Sequence, residues 1–80
     1  MTIRYLKDAV KEGNDFYFHY KGENAGVESA VKDSVVKYEA WYGEEIRQYD
    51  DFDDVLNDRF YCGKSILELL AKNIIEINFS

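Results

Sequence analysis

From Ser34 to Tyr49 the chain carries a hairpin, and that restricts its fold more than any other stretch. Val36, Tyr38, Ala40 and Tyr42 alternate with Val35, Lys37, Glu39 and Trp41, which is the two-residue period of a strand. The β-branched and aromatic side chains suit a pleated surface. Gly43-Glu44 is a two-residue turn of the kind that takes glycine first, and Glu45 to Tyr49 returns as the partner strand. If Val36, Tyr38, Ala40 and Tyr42 face the helices, Trp41 faces the opposite side of the sheet, beside Glu39.

Helices are expected at both ends. Thr2 is an N-cap for Ile3, Leu6, Ala9 and Val10, whose spacing places them on one helix face, and Gly13 stops the helix, giving 2–12. Asp15 to Tyr20 reads as a strand and Lys21 to Gly26 as a mobile turn. Residues 27–33 fit either a helical turn through Val27, Ala30 and Val31 or an edge strand through Val27, Ser29 and Val31. Asp51 N-caps a second helix with Phe52, Val55 and Leu56 inward, ending near Phe60 to Gly63. Ser65 and Glu68 form a capping box that opens a third helix. Ile75, Ile77 and Phe79 alternate, favouring a final strand over an extension of that helix. The fold class is α+β: one domain over 1–80, with an antiparallel sheet of three or four strands packed by an N-terminal helix and two C-terminal helices.

Eighty residues with 46% hydrophobic content and thirteen aromatics supply one small core. The single cysteine, Cys62, excludes an internal disulfide and fits a reducing cytoplasm. No export signal is recognisable, and no apolar run approaches the roughly 20 residues that span a bilayer. The net charge of −6 lies wholly between residues 44 and 58, where Glu44, Glu45, Asp50, Asp51, Asp53, Asp54 and Asp58 stand against Arg47 alone. A field of that sign attracts basic surfaces and repels phosphate, so direct binding of nucleic acid or of anionic membrane is disfavoured.

Motifs for catalysis and cofactors are incomplete. Gly63-Lys64-Ser65 has the tail of a phosphate-binding loop, but Asp58 stands where its first glycine is required. A calcium loop begun at Asp51 meets Val55, Leu56 and Cys62 at positions that need a ligand, a glycine and a glutamate. His19 is the only histidine, in a strand between Tyr17 and Tyr20, and Cys62 reads as a small buried hydrophobe. No cofactor or metal is expected, and an enzyme would need His19, Cys62 and a carboxylate brought together.

The stretch Tyr49-Asp50-Asp51-Phe52-Asp53-Asp54-Val55-Leu56-Asn57-Asp58, followed by Gly63-Lys64-Ser65-Ile66-Leu67-Glu68, resembles small reading frames of Gram-positive bacteria and their phages. In those, a short hairpin precedes an acidic helix and a Gly-Lys-Ser turn. The resemblance covers the C-terminal half and implies a small cytoplasmic accessory protein, associated with phage; it transfers no functional residues. The expected function is a non-enzymatic protein-binding module. Its candidate contacts are Glu44, Glu45, Asp50, Asp51, Asp53, Asp54, Asp58 and Trp41, and its partner a protein with a basic surface that it inhibits or assists as a nucleic-acid mimic. The alternative is self-association, as a homodimer, through exposed sheet aromatics.

Overall fold

Two-residue turns organise the middle of the chain. The computed structural model describes residues 2–80. Helix α1 (Ile3–Lys11) is followed by strands β1 (Phe16–Tyr20), β2 (Glu23–Lys32), β3 (Val35–Tyr42) and β4 (Glu45–Tyr49). Helices α2 (Phe52–Asn57) and α3 (Ile66–Ala71) come next, and β5 (Asn78–Phe79) ends the series. The sheet is antiparallel, in the order β4-β3-β2-β1-β5. Its first four strands are therefore a meander, with β5 added beside β1.

The turn at Gly43-Glu44 is as expected: Tyr42 pairs with Glu45, and Gly43 takes φ +61, which its missing Cβ permits. The stretch 21–33 departs from expectation. Lys21-Gly22 and Asp33-Ser34 are both turns with two consecutive positive φ angles, and the whole segment between them is one ten-residue strand. Glu23, Asn24, Ala25 and Gly26, expected in a mobile turn, are thus in β2. Residues 27–32 follow the strand alternative: Val27 lies between β1 and β3, and from Glu28 to Lys32 the strand pairs with β3 alone, an open edge as expected. Among the described residues the sheet accordingly has five strands, not three or four. Beyond Val27 the β2 strand outruns β1, so the β2–β3 ribbon projects past the body, and Val31 at its tip is 73% exposed.

Caps fix the helix starts. The Tyr5 backbone N–H donates to Thr2 Oγ1 and the Asp53 N–H to Asp51 Oδ1. Ser65 and Glu68 exchange both capping-box hydrogen bonds, at 3.2 and 3.1 Å. The Ser65 N–H holds the Glu68 carboxyl below its usual range. Helix α2 stops at Asn57, short of the expected Phe60 to Gly63, because Asp58 adopts an extended backbone. Cys62-Gly63 is then another tight turn with both φ positive, closed by reciprocal backbone bonds between Tyr61 and Lys64 at 3.0 Å. The tail is irregular up to Ile77, and only Asn78 and Phe79 join the sheet.

One hydrophobic cluster lies between the helices and the sheet. It takes Leu6 and Val10 from α1, Phe52, Val55 and Leu56 from α2, and Ile66 and Leu69 from α3. The sheet contributes Phe16, Phe18, Ala25, Val27 and Ala40, and Phe60 and Tyr61 fill from the connecting segment. Edge-on ring pairs occur between Phe18 and Tyr61 at 5.2 Å and between Phe16 and Phe52 at 6.4 Å. All these strand residues share one side of the pleat, so the helices cover one face and leave the other bare.

Candidate functional site

The seven acidic candidates do not form one array. Glu44 and Glu45 sit at the β3–β4 turn, whereas Asp50, Asp51, Asp53 and Asp54 follow the far end of β4, about 16 Å away at strand rise. Three of the seven are answered by cations. Lys37 pairs with Asp50, Lys7 with Asp53 at 2.6 Å, and Arg47 with Asp58 at 2.9 Å. Asp51 is occupied as the α2 N-cap. Two of these bases lie outside residues 44–58, so the charge excess of that segment in sequence is partly cancelled in space.

Asp58 is the most engaged of the group. The Tyr49 hydroxyl donates to its Oδ2 at 2.6 Å, and Arg47, from the same strand, donates to the same oxygen. The hydrogen bond from Tyr49 and the guanidinium beside it hold the Asp58 carboxyl below the usual carboxylate range, against a desolvation effect of opposite sign. Burial and the adjacent carboxylate push the Tyr49 hydroxyl upward. Arg47 also lies over the Phe60 ring, 4.7 Å from its centre, so this residue set ties β4 to the segment after α2.

His19 and Cys62 are not brought together. His19 is on the bare face of β1, alternating with buried Phe16 and Phe18, whereas Cys62 reaches Tyr42 on the covered side. Cys62 is exposed, contrary to the expectation of burial, because it occupies the first central position of a surface turn. The Tyr42 hydroxyl lies 3.1 Å from Cys62 Sγ and donates to the Tyr20 carbonyl at 3.3 Å. The contact with Cys62, and burial, push Tyr42 up to about 12. Gly63-Lys64-Ser65 is turn followed by helix cap, with both capping-box partners satisfied. Among the described residues, no group of three or more His, Cys, Asp or Glu side chains is placed to hold a metal ion.

The bare face of the sheet holds the other candidate, Trp41, and residues that charge counting misses. Tyr17 pairs with Gly26, Gly26 with Trp41, and Trp41 with Ile46, so one row crosses β1, β2, β3 and β4. The Trp41 indole lies against Gly26, where a Cβ would come within 2.6 Å of the Phe16 carbonyl oxygen and collide with Cζ2 and Cη2 of the indole. Glycine is therefore required in the strand, a role distinct from that of Gly43. Tyr17 is 42% and Ile46 60% exposed. In the next row on this face Glu28 stands directly opposite Glu39, which accepts a 3.5 Å bond from Gln48. No cation is paired with either glutamate among the described residues, and like charges opposite each other in a sheet repel.

Neither Glu28 nor Glu39 stands out in sequence, because each is a lone acid flanked by neutral or basic residues. Only the β2–β3 register joins them, and only recognition of β2 as a strand would have found them.

Comparison with protein-family profiles, with curated proteins and with solved structures finds no match.

Proposed function

We propose that this chain is a small acidic protein-binding module, without catalysis of its own, that engages a basic protein surface through the uncovered sheet face. The observation that carries the reading is the juxtaposition on that face of the Tyr17–Trp41–Ile46 row and the unneutralised Glu28–Glu39 pair. Aromatic and aliphatic bodies supply desolvated contact area, and an indole face attracts guanidinium or ammonium groups. A cation entering beside Glu28 and Glu39 also relieves their mutual repulsion. Arginine, planar and weakly hydrated, suits both demands. The α2 aspartates then contribute long-range attraction, and a phosphate-like array is no part of the reading, because Lys7, Lys37 and Arg47 already occupy three of its members.

Side-by-side affinity capture tests this, at low and high salt, with wild type, with Tyr17→Ser/Ile46→Ser, with Glu28→Gln/Glu39→Gln, and with Asp50→Asn/Asp51→Asn/Asp53→Asn/Asp54→Asn. The sheet-face variants are expected to lose a salt-sensitive partner that the aspartate variant retains. Loss confined to the aspartate variant would move the site to the start of α2. Capture unchanged in every variant would end the binding reading.

A further inference from the structure

Strand β4 is an outer strand, with β3 on one side and, among the described residues, no strand on the other. The two-residue Gly43-Glu44 turn makes Tyr42 and Glu45 the hydrogen-bonded closing pair. Antiparallel pairs alternate, so Trp41–Ile46 is a non-hydrogen-bonded pair and Ala40–Arg47 a hydrogen-bonded one. It follows that Glu45, Arg47 and Tyr49 spend their backbone groups on β3, while Ile46 and Gln48 aim theirs outward from the sheet. Outward-aimed strand groups are a template for another strand, and edge charges ordinarily discourage such pairing.

Here the edge charges are self-complementary in one register. Pairing two copies of β4 antiparallel about a two-fold axis at Ile46 places each Ile46 opposite the other, as a pair exchanging outward N–H and C=O groups. The same axis places Glu45 of each copy opposite Arg47 of the other, on the helix-covered side of the sheet. Glu45 has no ion pair of its own among the described residues. Arg47 uses one terminal nitrogen on Asp58 and has further donors to offer. Adjacent registers lack this match: an axis at Arg47 sets two guanidinium groups against each other, and one at Gln48 sets Ile46 against Asp50. We infer that two copies of this chain associate edge to edge through β4, in the register centred on Ile46, to form a continuous ten-stranded sheet. Such a dimer leaves the Tyr17–Trp41 face open and extends its apolar row through Ile46 into the second copy. The inference stands independently of the binding function proposed above, because it uses the strand edge rather than the face.

Sedimentation velocity over a wide concentration range tests the dimer, and thiol cross-linking tests its register. Wild type is expected to show a concentration-dependent dimer. Glu45→Lys turns two attractive cross-strand pairs repulsive and is expected to weaken the dimer about tenfold or more. Circular dichroism should show Glu45→Lys folded, since Glu45 is exposed and unpaired. In a Cys62→Ser background, Ile46→Cys should cross-link to itself through a short bifunctional thiol reagent, because facing Cα atoms lie about 5.5 Å apart. Gln48→Cys should not, its two copies lying roughly 14 Å apart. A strict monomer at all concentrations would overturn the proposal. So would a dimer indifferent to Glu45→Lys, or self-linking through Gln48→Cys.

Discussion

The two faces of the sheet are built from the same strands and do opposite work. On the covered side Phe16 and Phe18 are fully buried among helix residues, whereas Tyr17, set between them in sequence, is open on the other side. Aromatic content alone does not distinguish them. What separates them is the second layer: among the described residues, the covered face has three helices against it, whereas the bare face has no helix and is packed at Gly26 by the Trp41 ring. One face holds the fold together and the other is left uncovered by the helices.

The contrast can be broken most severely from the covered side. Phe18→Ala should cost about 3–5 kcal/mol in urea denaturation, a large share of a small domain's stability, while Tyr17→Ser one position away should change it by no more than about 0.5 kcal/mol. Comparable losses for the two would mean that the bare face also carries the fold. Gly26→Ala tests the one place where the bare face is packed. It should cost about 1–3 kcal/mol by overpacking and shift the emission of the lone tryptophan as the indole is displaced. Stability lost without a spectral change would point to the Phe16 carbonyl as the only obstacle.

The smallest expected effect lies at the rim, where Asp58→Asn should cost about 1 kcal/mol near neutral pH through its weakened bonds to Tyr49 and Arg47. The folded carboxyl titrates below its ordinary value of 3.8, so its contribution is fully present above that value and is lost as the pH falls through the lowered folded pKa. Acid titration of wild type against Asp58→Asn should therefore show the two stabilities converging below about pH 4. A difference that persists in acid would assign the effect to packing.

Sequence logic reaches the elements whose signals are local. Thr2, Asp51 and Ser65 cap the helices because a side-chain oxygen and a nearby N–H are all that a cap needs. The Gly43-Glu44 turn and the opposite faces of Tyr42 and Trp41 follow from a two-residue period. What escapes is set by partners distant in the chain. Asn24-Ala25-Gly26 has loop composition, yet it is a strand because Trp41 needs a glycine beneath it and Phe16 to Tyr20 needs a neighbour. Asp33-Ser34 and Lys21-Gly22 take positive φ without the Asn-Gly or Asp-Gly signature of such turns. The acidic segment is legible as a total and illegible as a surface, since Lys7 and Lys37 reach it from other elements. Glu28 and Glu39 are the converse, ordinary in sequence and adjacent in space.

The meander order of the sheet also governs how quickly it can form. Each of β1 to β4 pairs with its neighbour in sequence across a short turn, so those strands can zip together at little cost in loop entropy. The closing step is different in kind: β5 must find β1, and the Ser80 N–H must reach the Asp15 carbonyl across 65 residues of chain. With only two residue pairs to hold it, that last pairing should be the first of the sheet's ladders to open and exchange its hydrogen-bonded amide protons, on a timescale well ahead of global unfolding.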